Sequence, residues 1–308
     1  MVQFFDDIKV MGSLSALEQA RKLHAMGDKE TAAKLVRSAR DDQGWQSESR
    51  FGSGFRFWKP KLWQHTSHTF GFVHPKVTDT EGVKISHAAS IPADLSLSGK
   101  QIKITLDGLQ VAEYPGIGIH HILFDFYAQN QTATNVEHLH LNSLYTLRDG
   151  EQAAVLGHPL FLGLNVGLEG VALRCMTVNV KNQSDYSYLR FLESDIFRAG
   201  LRLLDTAQPA VKLLSTATES LTKAIAKRTD NVPVQKFSLG LDFSESSTGA
   251  RLSEGTYLVV QVPDSIEVIW DWSEWTYMPQ SGRVVSRLEP GVALPYNYIM
   301  LGLTRMQS

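Results

Sequence analysis

With 308 residues the chain can bury a substantial core, as one large domain or two modest ones. Its 30 Lys and Arg stand against 32 Asp and Glu, a formal charge of −2, so no broad field steers it to nucleic acid or anionic lipid. The single cysteine, Cys175, excludes an intramolecular disulfide framework and a cysteine-rich zinc module, and it suits a reducing, cytoplasmic setting.

In chain order, Met1–Val10 contains Asp6 and Asp7 and has no basic stretch followed by an apolar run, so no secretory signal is expected. No run of about 18 apolar residues could span a bilayer. Residues 13–42 read as a helical hairpin. Ser15 and Glu18 have capping-box spacing, and Ala16, Ala20 and Leu23 recur along one face. Gly27 suits the end of the first helix and Asp28 the cap of the second, where Ala32, Leu35, Val36 and Ala39 form a stripe. The hairpin resembles one tetratricopeptide unit. No second copy follows, and stacking takes about three repeats, so residues 1–44 are read as an isolated unit docked on the main body.

Residues 45–84 are read as an aromatic-rich connecting segment. Eight aromatics, Trp45, Phe51, Phe55, Phe57, Trp58, Trp63, Phe70 and Phe72, fall among glycines and the bases Arg50, Arg56, Lys59 and Lys61. Such interleaving can stack unpaired bases, and Arg50–Phe57 resembles an RNA-recognition strand. The surrounding βαββαβ order is missing, so nucleic acid is not the expected partner. Phe55, Phe57, Trp58 and Trp63 are instead expected to anchor a protein partner.

From residue 85 to 308 the two-residue period dominates. Strands are expected at 101–106, 109–113, 117–129, 136–147, 171–181, 234–243, 256–262, 266–272, 283–286 and 296–304, with turns at Asp107-Gly108, Pro115-Gly116, Asp149-Gly150, Glu254-Gly255 and Ser281-Gly282. The fold class is therefore mainly β, an antiparallel β-sandwich of C2-like or jelly-roll-like form, carrying the N-terminal hairpin and a helical insertion at 184–229. Within that insertion, helices are expected at 184–204 and 209–228. The second has Pro209 at its first position and an apolar stripe of Val211, Leu214, Ala217, Leu221, Ala224 and Ile225. Packing across a sheet is expected for it, with an interfacial membrane role as a further alternative.

Candidate chemistry centres on Val136–Leu141, where alternation points His138 and His140 to one face and Leu139 and Leu141 to the other. If a hairpin brought His120 or His121 alongside, with Asp125 or Glu137 as carboxylate, a transition metal ion could be held. The His-x-His pair is similar to the first motif of a cupin, but no carboxylate follows before Asp149. Cys175, between Arg174 and Met176, reads as a small core hydrophobe. The cluster Trp270, Trp272, Trp275 and Tyr277 suits a protein hot spot or a core, and Trp275 at its end is an expected partner contact. The resulting expectation is a non-enzymatic adaptor or effector that associates with another protein and needs no cofactor. A metal-binding sandwich and a peripheral membrane module are the alternatives.

Overall fold

The computed structural model describes residues 5–44, 60–75, 82–131, 136–189, 201–203, 209–244, 249–267 and 269–306. It is mainly β. In chain order the strands are β1 (Ser67–Val73), β2 (Val83–Lys84), β3 (Ser86–His87), β4 (Gln101–Val111), β5 (His120–Gln131) and β6 (Val136–Leu147). They continue as β7 (Glu151–Gln152), β8 (His158–Asn165), β9 (Gly170–Val180), β10 (Leu201–Arg202), β11 (Val232–Asp242) and β12 (Ala250–Arg251). The last four are β13 (Gly255–Val262), β14 (Trp275–Met278), β15 (Arg283–Ser286) and β16 (Tyr298–Arg305).

One sheet runs β10-β8-β4-β16-β13-β1-β3, with β7 added to β4; a second runs β12-β11-β9-β5-β6; a small third runs β15-β14-β2. Pairing is antiparallel except at two edges, where β10 joins β8 and β12 joins β11 in parallel. The two large sheets share one apolar core. Phe126 of β5 meets Phe161 of β8 at 5.8 Å between ring centroids, and Phe70 of β1 meets Phe237 of β11 at 6.4 Å. The small sheet has its own core of Val83, Ile85, Trp272, Val284 and Leu294, seated on Leu258, Val260 and Met300 of the first sheet.

The helices begin with α1 (Ala16–Ala25) and α2 (Lys29–Gly44). The expected capping box is present: the Ser15 hydroxyl accepts from the Glu18 amide, and the Glu18 carboxylate accepts from the Ser15 amide at 2.9 Å. Asp28 caps α2 by accepting from the Thr31 amide. The sequence boundaries do not coincide with breaks in packing, however. Leu23, Leu35 and Met11 belong to the same core as the large sheets. Lys22 Nζ donates to the carbonyls of Arg228, Thr229 and Asn231 at 3.2, 3.3 and 2.9 Å, and Gln64 donates to Gln19 at 2.7 Å. Gly12 lies so close to the chain that an added Cβ would stand 2.3 Å from the Gln64 carbonyl oxygen. The hairpin is thus part of the body.

The aromatic segment is likewise not a connector throughout, because 67–73 is β1, an interior strand paired with both β13 and β3. Its period-two aromatics bury Phe72 fully. Asp107-Gly108 is not a turn. The stretch 101–111 is one strand with a bulge, where the register against β16 slips between Met300 and Leu301 and the Asp107 carboxylate accepts from Thr105 and Thr256. The expected strand 266–272 is replaced by a single helical turn, α5 (Asp264–Glu267), and a 3-10 turn at Trp272–Glu274. There the Asp271 carboxylate accepts from the Ser273 amide at 2.8 Å, a local bond that outcompetes a strand ladder. Nor does one helix fill 184–204: α3 (Gln183–Leu189) is helical, while Leu201–Arg202 extends a sheet edge.

The helix α4 (Pro209–Ala226) has a use not legible from its apolar stripe. It lies along β6, the outermost strand of the second sheet, and buries Ser215, Thr218, Thr222, Ile225 and Ala226, whereas Ala217 and Ala224 of the expected stripe are exposed. Ser215 Oγ accepts from the His140 amide at 2.7 Å and donates to the His138 carbonyl at 3.1 Å, while Thr218 Oγ1 donates to the His140 carbonyl at 3.2 Å. Hydroxyls here take the place of a neighbouring strand, which closes an edge that would otherwise invite pairing.

Candidate interaction surface

The face bearing His138 and His140 is built as alternation dictates: Leu139 and Leu141 are buried in the core on the opposite side. Yet α4 and the N-terminal segment cover part of it. His140 is 1% exposed, its Nδ1 is 3.3 Å from Asp125 Oδ1, and its Nε2 is 4.0 Å from a Glu219 carboxylate oxygen. Asp125 also accepts from Thr222 at 2.9 Å, and Phe5 stands edge-on to the imidazole at 5.5 Å. His138 is exposed and its Nδ1 lies 2.6 Å from the Tyr127 hydroxyl. Partial burial, together with neighbouring His140, holds its imidazole below the usual range.

The alternative in which a hairpin brings His120 or His121 beside His138 and His140 does not occur. In the β5–β6 register Tyr127 stands opposite His140, and His120 stands opposite Leu147, seven residues away. At strand rise that is about 24 Å. His120 is buried at the far end, bonded to Asp149 and Asn179, and His121 stacks on Tyr186 at 3.8 Å. Among the described residues, no three His, Cys, Asp or Glu side chains form a group that could hold a metal ion. Cys175 faces the interior of β9, where burial pushes its thiol well up.

The expected partner anchors separate. Phe55, Phe57 and Trp58 lie outside the described residues. Trp63 is corrected to a core residue: it sits in a 3-10 turn at Leu62–Gln64 and is 2% exposed, so its ring has no surface to offer. Trp275 is half-buried and opens β14. Its indole stacks on Trp270 at 6.0 Å and 11°, and Trp270 in turn meets Trp272 at 5.4 Å and Tyr296 at 5.6 Å.

This arrangement has a core side and a solvent side. Trp272 is buried against Gly71 and Ile85, while Trp270, Trp275, Tyr277 and Tyr296 are only partly covered. Large apolar residues border them. Ile269 is 74% exposed, and Leu288, two residues past the Ser286 that pairs with Trp275, is 72% exposed. Exposed Ile269 was not singled out in the sequence because 266–272 reads there as a strand, which hides the turn that turns it outward. Leu288 gives no periodic signal at all. Partly exposed indoles with flanking aliphatic residues can anchor a protein surface by desolvation at modest entropic cost.

No protein-family model, curated protein or solved structure matches this chain. Among the described residues no helix is long and apolar enough to cross a membrane.

Proposed function

We propose that this protein works by associating with another protein through the surface made by Trp270, Trp275, Tyr296, Ile269 and Leu288. The observation that carries this reading is the stacked, partly exposed Trp270–Trp275 pair, with Trp275 held in the small sheet. Trp272 belongs to the core of the small sheet, and Trp270, Trp275, Tyr277 and Tyr296 pack against that core with part of each ring still exposed. Tryptophan and tyrosine are the side chains that most often dominate binding energy when a partner covers them.

The test compares folding and association in the same variant. Trp275→Ala is expected to remain folded while its affinity for the partner that co-purifies with the native protein falls by about 2 kcal/mol or more, roughly 30-fold. A variant that binds that partner as tightly as the native chain does would overturn the reading.

A further inference from the structure

The aromatic surface sits in a stretch of one charge sign. Residues 263–282 contain Asp264, Glu267, Asp271 and Glu274 and no Lys or Arg. All four carboxylates are exposed, and hydrogen bonds from Ser273 hold the Asp271 carboxyl below the usual range, so it stays ionised. Asp271 lies between Trp270 and Trp272, and Glu274 directly precedes Trp275. Arg287, just past β15, donates to the Ser273 carbonyl at 3.3 Å, and Lys84 and Arg283 stand opposite Thr276 and Met278 on the neighbouring strands, so the four carboxylates still outnumber these three bases.

Indole faces attract cations through the ring quadrupole, and guanidinium does so better than most because it is planar and weakly hydrated. Carboxylates beside such faces add bidentate partners. Resting on the association surface proposed above, we infer that its occupant is a cationic, arginine-bearing segment of the partner, stacked on the Trp270–Trp275 pair and paired with Asp271 and Glu274. The aliphatic stem of each arginine would lie against Ile269 or Leu288.

The probe is a short arginine–glycine peptide, with a glutamine–glycine peptide of the same length as control, titrated against the full chain by tryptophan fluorescence and anisotropy. The arginine peptide is expected to saturate, to bind less tightly as salt rises, and to bind at least about ten-fold more tightly than the glutamine peptide. The double variant Asp271→Asn, Glu274→Gln keeps the acceptor for the Ser273 amide and should lose about ten-fold for the arginine peptide alone. Trp270→Ala should lose as much without abolishing the fold, which near-ultraviolet circular dichroism would verify. Equal binding of both peptides, no binding, or an unchanged affinity in the carboxylate variant would each overturn the cationic assignment. Should the native partner still depend on Trp275 in that event, association stands and only the partner's chemistry is wrong. If the partner ignores Trp275→Ala, the underlying reading fails first.

Discussion

Replacing Ser215 by Ala removes one hydroxyl and the two bonds it makes to the β6 backbone. In the native fold that oxygen accepts from the His140 amide at 2.7 Å and donates to the His138 carbonyl at 3.1 Å, on a residue that is 3% exposed. A buried hydrogen bond lost with one partner kept costs about 1–3 kcal/mol, so the two bonds together cost about 2 kcal/mol or more. Against this, alanine gains at most about 0.5 kcal/mol over serine in a helix. The loss wins, and Ser215→Ala should destabilise the fold by at least about 1.5 kcal/mol. Ser220→Ala on the exposed side of α4 gains the same propensity and loses no such bond, so its stability should change by no more than about 0.5 kcal/mol. Denaturant unfolding with unchanged slope measures both, and amide exchange at His140 should accelerate in the first variant alone. If Ser215→Ala is as stable as Ser220→Ala, hydroxyls on α4 do not close the β6 edge.

Further outcomes follow from the same packing. His68 is buried beside Phe237, and burial lowers its imidazole to about 4. Because the folded state resists a proton that the unfolded chain takes up below its ordinary value near 6.5, stability should fall as pH drops from that value to about 4, by at most about 3 kcal/mol, and His68→Phe should flatten that slope in pH-dependent unfolding. Trp272→Ala should cost about 3–5 kcal/mol of stability in denaturant titrations, far more than Trp275→Ala, since only the former is fully packed. Gly12→Ala should destabilise by about 1–3 kcal/mol, and a chain lacking residues 1–42 should lose its cooperative thermal transition, because the hairpin completes the shared core. Cys175 should resist thiol reagents until the chain unfolds, as a buried thiol with a raised pKa demands.

Much of the β body was legible because period-two patterning is strong wherever one strand face is buried. The strand 136–147 and the short strand 283–286 stand where alternation puts them, and the caps at Ser15 and Asp28 hold because a capping bond depends only on neighbours in sequence. What misled was chemistry with two local meanings. Asp-Gly at 107–108 is a turn signal, yet inside a long strand the same pair makes a bulge. The run 266–272 is rich in strand formers, but Asp271 bonds its own backbone neighbour and breaks it. Long-range facts left no trace in sequence. Nothing in residues 13–42 announces that Lys22 caps the carbonyls after α4, and nothing in 209–226 says that its hydroxyls face a strand edge.

At the candidate site the sequence pointed to Trp275 but also to Trp63, which looks the same in composition and differs only in what covers it. The histidines failed as a group for a related reason. Sharing a hairpin does not set register, and the observed register separates His120 from His140 by most of a strand.

The most direct test of the association surface is a hydrogen-exchange footprint of the protein bound to its native partner. Protection should appear at 269–278 and 286–296, around Trp270, Trp275 and Tyr296, while the hairpin and the β6 edge exchange as in the free chain. Protection confined to other segments, with 269–278 and 286–296 unchanged, would contradict it.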